Sequence, residues 1–264
     1  MFSNYIIKMA ENTENREHSK YTNKPVTQIF SLGFRCSSAS ILKKMGLKHE
    51  SYPFDWLVSR LSVIQHCIQN NFCEFLHREH YVRKYSNTYE MADSLNGFIC
   101  DEHLMVNRFY QPPDMQDCEN TYQYKLAMNH HNITEDKDYE YYGRCVDRFR
   151  ELLRTLYPKK YLHICPLITF ARYQESRCSL LKELADFDEF MCNATSGTAS
   201  GLFFIMVRDD IETCRRELLY YSTQTKSKIY IIYTNKWFVD AGEVFMGHDG
   251  GERRQIEHII REHM

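Results

Sequence analysis

A cysteine at the start of a predicted helix is the residue of this chain best suited to nucleophilic chemistry. Cys36 follows a β-rich segment, 26–32, and the glycine Gly33, and it precedes residues whose apolar positions have helical spacing. The unpaired N–H groups and the positive dipole end at a helix N-terminus favour a thiolate, and Arg35 would act in the same direction. Cys36 is therefore a candidate nucleophile. The alternative is that Cys36 has a structural role only, as a small residue that starts a helix beneath a loop.

A histidine pair supplies candidate general bases. His130 and His131 come at the end of a segment, 122–130, whose alternating apolar residues predict a strand. Adjacent side chains on a strand point to opposite faces, and the alternation places His130 on the face of Met128 and His131 on the other. One of them could take the proton of a thiol on a neighbouring element. The alternative is that both are ordinary polar residues at the entrance of a loop. The pair lacks the i, i+4 spacing of helical zinc ligands, so no metal site is expected.

Two further residues could orient such an imidazole. Asp55, within the compact loop 51–56, could do so, or it could cap a helix starting near Trp56. His163, in the apolar segment 161–165, is a weaker candidate, because a histidine there is more typical of a core residue.

Polar groups near the C-terminus offer weaker alternatives. Asp209 and Asp210 follow an apolar segment, 202–207, and could bind a ligand at a sheet edge or cap a helix. The glycine-rich turn 247–251 could hold an anion, but it matches neither a P-loop nor GxGxxG.

The order of the predicted elements favours an α/β fold with a mixed or mostly parallel sheet and helices on both faces. Residues 1–25 are expected to form a flexible tail, and residues 26–264 a single domain with a possible lobe break near 111–121. The expected strands are 26–32, 97–100, 105–110, 122–130, 161–165, 202–207 and 228–233, and the expected helices are 36–45, 59–76, 138–156, 174–185, 211–221 and 252–263.

Composition excludes several classes of protein. The 264 residues are 43% hydrophobic and 26% charged, which excludes a disordered chain, and the net charge of −2 offers no global basic field for nucleic acid or an anionic membrane. The ten cysteines include no CxxC pair, and no signal-peptide core or membrane-spanning stretch is evident. These features predict a reduced, intracellular (cytoplasmic) protein that needs no cofactor.

Two regions of the chain, 31–59 and 124–130, resemble a known family. Residues 31–36 (SLGFRC), 42–47 (LKKMGL) and 51–59 (SYPFDWLVS) are similar to the N-terminal signature of a papain-like cysteine peptidase family found in bacteria and large DNA viruses. Residues 124–130 resemble its histidine-bearing strand, although Lys125 and Met128 replace a glycine and a phenylalanine. The resemblance implies Cys36 as nucleophile, His130 or His131 as base, a papain-like α+β fold as an alternative, and the host cytoplasm if the protein is viral.

These observations favour a thiol-dependent hydrolase that acts on an amide or ester carbonyl of a peptide, protein or glycan. Asp55 or His163 would orient the imidazole, and backbone N–H groups near Cys36 would hold the oxyanion. The candidate substrate-binding residues are Gly33, Arg35, Phe54 and Trp56. One alternative is a Rossmann-like nucleotide-sugar or glycan transferase, in which the Gly33 turn and the sheet edges after 202–207 and 228–233 hold the ligand. Another is a non-catalytic binding module.

Overall fold

The computed structural model describes residues 28–84, 104–111, 124–128, 130–209, 215–221, 225–234 and 251–264. The described strands are β1 Gln28–Ser31, β2 Leu57–Ser59, β3 Tyr81–Lys84, β4 Leu104–Asn107, β5 Leu126–Met128, β6 Lys159–Ile164, β7 Ile168–Thr169, β8 Ala199–Arg208, β9 Arg215–Tyr221 and β10 Lys228–Thr234. The described helices are α1 Ser37–Lys44, α2 Leu61–Gln69, α3 Cys73–Leu76, α4 Asp136–Arg154, α5 Phe170–Ala194 and α6 Gly251–Glu262.

The larger sheet is mixed and mostly parallel, as the sequence predicts. Its strands lie in the order β1-β6-β8-β10-β9, and β7 pairs with the end of β8. Among its described strands, only β9 runs antiparallel to its neighbour. The protein therefore has an α/β fold.

Side-chain alternation along the strands gives this sheet two apolar faces. On β8, Phe203 and Ile205 point into one core cluster, and Phe204 and Met206 point into the other. Helices α2, α3, α4 and α5 cover the first face, and α1 and α6 cover the second. Helices thus lie on both faces, because each strand of a buried, mostly parallel sheet presents apolar residues in both directions.

The smaller sheet is antiparallel, with the strand order β2-β5-β4-β3. Leu57 of β2 pairs with Met128 of β5. Trp56, immediately before β2, is consequently brought close to the histidine pair that follows β5.

Three expectations about elements are wrong. The segment expected to be a helix over 211–221 contains strand β9, and Trp56 precedes a strand rather than a helix. The helix expected over 59–76 is interrupted between α2 and α3, because Asn71 and Phe72 adopt left-handed conformations with φ of 54° and 61°.

Some expectations fall outside the described residues. They are the tail 1–25, the strand 97–100, and nearly all of the lobe break at 111–121. Among the helices that are described, none combines the length and apolar character needed to cross a bilayer.

Candidate active site

A tight turn after β1 delivers Cys36 to the start of α1. A Cβ on Gly33 would lie 2.1 Å from the carbonyl oxygen of Arg35, so the turn requires glycine. Ser59 holds the turn, since its hydroxyl donates to the Gly33 carbonyl (2.7 Å) and its N–H donates to the Phe34 carbonyl (3.2 Å). Cys36 is the residue that precedes α1, and its carbonyl accepts the N–H of Ser40 at 2.8 Å. The expected helix-start position is confirmed.

Cys36 and both histidines line one open cleft of about 430 Å³. Ser40, Trp56 and Tyr141 complete its lining. Cys36 is mostly buried and His130 is exposed. The structure therefore brings together, from two separate segments, the thiol and the imidazoles that the sequence singles out. In the part of the chain that is described, no three or more His, Cys, Asp or Glu side chains are arranged so that they could hold a metal ion.

His131 forms a hydrogen-bonded pair with an acid that the sequence analysis missed. Its Nδ1 donates to Oδ1 of Asp138 (3.0 Å), and its ring stacks on that of Tyr141 with centroids 4.6 Å apart. The other oxygen of Asp138 accepts the N–H of Asn132 (2.7 Å). Within the described residues, Nε2 of His131 has no hydrogen-bond partner.

The environment of Asp138 keeps its carboxylate ionised. Burial by itself would raise the pKa of Asp138, but hydrogen bonds from Asn132 and His131 outweigh it and lower that pKa. Asp138 also lies in the first turn of α4, where the helix dipole favours negative charge. An acid in the first turn of the helix that follows the histidine pair was the available sequence signal.

Asp55 lies elsewhere and has other partners. Its Oδ1 accepts the Ser31 hydroxyl (2.5 Å), and its Oδ2 accepts the Tyr52 N–H (2.7 Å) and contacts the Lys48 ammonium (2.5 Å). It lines a separate cavity of about 10 Å³ rather than the cleft. Burial raises the pKa of Asp55, against the opposing effect of Lys48. The geometry gives Asp55 a structural role that links β1 to the loop before β2.

His163 is a core histidine. It is fully enclosed on β6, and its Nδ1 donates a short hydrogen bond to the Leu32 carbonyl. Burial lowers its pKa to about 4, so the ring is neutral at pH 7. Because His163 does not line the cleft, its expected role in orienting the base has no geometric support.

The four candidate substrate-binding residues separate into two groups. Trp56 lines the cleft. Phe54 is fully buried against Phe72 and Phe149, so it cannot reach a substrate. Gly33 shapes the turn, and Arg35 is buried and not part of the cleft lining.

Polar groups at the carboxyl edge of the large sheet bond to one another. The Asp209 N–H donates to the Thr234 carbonyl (2.9 Å), and the Thr234 hydroxyl donates to the buried Glu252 (2.5 Å). These contacts lend no support to a sugar-nucleotide site there. Asp210 and residues 247–250 lie outside the described part of the chain.

A protein-family model matches the part of the chain that forms the cleft. A family model described as "Putative papain-like cysteine peptidase" matches residues 27–207, more than half of the chain and the part that contains every residue of the cleft. The chain belongs to this family. The match runs from β1 almost to the end of β8, so the matched part contains the small sheet and most strands of the large one.

A curated relative from a giant virus is similar over a short stretch. "Uncharacterized protein R408" of Acanthamoeba polyphaga mimivirus is 48% identical over 50 residues, which cover 19% of this chain and 22% of that protein. No solved structure matches.

Proposed function

We propose that this member of the papain-like cysteine peptidase family is a thiol hydrolase with Cys36 as nucleophile, His131 as general base and Asp138 as the residue that positions His131. The observation that carries the proposal is the hydrogen bond from His131 Nδ1 to Asp138, in a cleft that Cys36 also lines. This bond fixes the ring tautomer and leaves Nε2 to accept the thiol proton. The mimivirus relative supports a viral origin.

The proposed reaction proceeds in two half-reactions. Cys36 gives its proton to Nε2 of His131, and its sulfur attacks the substrate carbonyl carbon, whose π electrons move to oxygen. Backbone N–H groups in the first turn of α1 stabilise that oxyanion. When the carbonyl re-forms, the bond to the leaving amine or alcohol breaks, and the leaving group takes the proton from His131. Water then hydrolyses the thioester with His131 as base and releases the acid.

The test is the pH dependence of Cys36 alkylation by iodoacetamide. Peptide mass mapping would separate Cys36 from the nine other cysteines. A model thiol of pKa about 8.5 is only about 0.3% thiolate at pH 6, so a thiolate stabilised by His131 should react at least about tenfold faster there. If Cys36 reacts no faster than the model thiol, the proposal fails.

Matched variants test which histidine is the general base and whether Asp138 positions it. We expect His131→Ala and Asp138→Asn to shift the alkylation profile to higher pH, because each removes support for the thiolate–imidazolium pair. His130→Ala and Asp55→Asn should leave the profile in place, with thermal denaturation reporting any loss of folding. A shift with His130→Ala and none with His131→Ala would assign the base to His130 instead.

A further inference from the structure

One face of α1 leads from the thiol to a lysine. Cys36, Ser40 and Lys43 are spaced i, i+4 and i+7, so they follow one another along that face. Cys36 and Ser40 line the cleft. Seven residues at about 1.5 Å each place Lys43 about 10 Å along the helix axis from Cys36. An extended peptide covers that distance in about three residues.

Trp56 borders the surface that runs along this face of α1 from Cys36 to Lys43, which we call the groove. It lines the cleft with Cys36, and the ammonium groups of Lys43 and Lys48 each lie 6.0 Å from the centre of its ring. The indole surface can therefore contact an apolar part of a bound chain between the thiol and the lysine.

The two lysines beside Trp56 differ in how their charge is balanced. Lys48 is paired with the buried carboxylate of Asp55 at 2.5 Å and also donates to the Glu50 carbonyl. Lys43 is exposed, and in the part of the chain that is described it forms no ion pair. The Lys43 end of the groove therefore carries a positive charge that no carboxylate among the described residues pairs with.

We propose that the groove between α1 and Trp56 selects acyl substrates with an anionic group about three residues from the bond that Cys36 attacks, and that Lys43 is the specificity-determining residue. This inference rests on the proposed thiol hydrolase. Trp56 contacts the intervening apolar group, and Lys43 pairs with the anion. A neutral substrate of the same length leaves the Lys43 charge unpaired and binds less well.

Two electrophilic probes that differ in one charge test the proposal. Chloroacetyl-Ala-Phe-Glu-amide and chloroacetyl-Ala-Phe-Gln-amide place their third side chain at the required distance, and the thiolate displaces chloride from the chloroacetyl carbon. The second-order rate constants for Cys36 are measured by peptide mass mapping at low salt. An exposed ion pair predicts that the Glu probe reacts about two- to fivefold faster than the Gln probe.

Variants of adjacent lysines provide the control. Lys43→Met keeps the alkyl chain beside Trp56 but should bring the Glu/Gln rate ratio to about one, whereas Lys44→Met removes the same charge and should keep the wild-type ratio. A wild-type ratio of one, or equal loss in both variants, would overturn the role of Lys43 and leave it as a residue that stabilises the end of α1. If free chloroacetamide also fails to react faster with Cys36 than with a model thiol, the proposed hydrolase itself fails.

Discussion

Burial gives the histidines of this chain different chemical roles. His163 is buried on β6, and the Leu32 carbonyl accepts a hydrogen bond from its ring N–H, which a neutral ring can donate. His131 is partly exposed and faces a carboxylate, which can stabilise a positively charged ring. The residue type is the same in both places, and the surroundings decide which one can exchange protons in a reaction.

The buried His163 should make the protein acid-sensitive. Its pKa is about 4 in the folded protein and about 6.5 when unfolded, so between these pH values only the unfolded chain gains the proton. The free energy of unfolding should therefore fall by up to about 3 kcal/mol as pH drops from 6.5 to 4.

Urea denaturation of His163→Gln and wild type between pH 7 and pH 4.5 measures this contribution. We expect the variant to lose less stability on acidification. The slope of its free energy of unfolding against pH should correspond to the uptake of about one proton fewer on unfolding. His130→Gln, at an exposed position, serves as the control and should keep the wild-type slope. Equal slopes for His163→Gln and wild type would contradict a neutral, buried His163.

At the level of elements, strand pairing assembles the cleft. Trp56 precedes β2 and the histidine pair follows β5, and the two strands pair although they are separated by about 70 residues. The turn at Gly33 brings in α1, and the first turn of α4 adds Asp138. None of these elements forms the cleft by itself, so the proposed hydrolase activity should depend on the small sheet as well as on the large one.

Strand β9 shows how two periodicities can coexist in one segment. Ile211, Cys214 and Leu218 have the i, i+3, i+7 spacing that is typical of a helix, in line with the helix expected over 211–221. In the structure β9 pairs with β10, and Leu219, at a register shift in this pairing, packs against the core, whereas Leu218 is 49% exposed.

A pair of substitutions in β9 distinguishes the two periodicities. Leu219→Asp should lower the free energy of unfolding by about 2 kcal/mol, because it places a charge against the core. Leu218→Asp should change it by no more than about 0.5 kcal/mol. Urea denaturation at pH 7 measures both. A helix over 211–221 would bury Leu218 instead, so a larger effect from Leu218→Asp would contradict the strand.

At the scale of the whole molecule, a buried carboxylate ties α5 to the sheet. Asp188 accepts hydrogen bonds from the hydroxyls of Tyr161 on β6 (2.6 Å), Ser227 (2.5 Å) and Thr225 (2.7 Å), the last two just before β10. Gly201 on β8 makes room for this arrangement. A Cβ there would lie 2.4 Å from the Phe203 ring and 2.7 Å from the Tyr161 ring.

Gly201→Ala should therefore destabilise the protein by about 1–3 kcal/mol, because the ring of Tyr161 must move away from Asp188. Gly143→Ala is the matched control: Gly143 lies inside α4 with open space at its Cβ, so alanine should stabilise by up to about 1 kcal/mol. Thermal and urea denaturation measure both changes. If Gly201→Ala leaves the free energy of unfolding unchanged, the rings of Tyr161 and Phe203 can repack freely.

The amino-acid sequence by itself determined the local features of this protein. The alternation of strands and helices, the helix start at Cys36 and the family signature in residues 31–59 depend on neighbours within a few positions, so their patterns are visible in the chain. Only the tertiary structure decided four other features. They are the hydrogen bond between His131 and Asp138, the contacts of Asp55 with Lys48 and Ser31, the burial of His163 and the strand at 215–221. Each of these depends on which side chain the fold brings within about 3 Å, or on which strand supplies the backbone partner, and hydrogen bonding and desolvation act over those short distances regardless of separation along the chain.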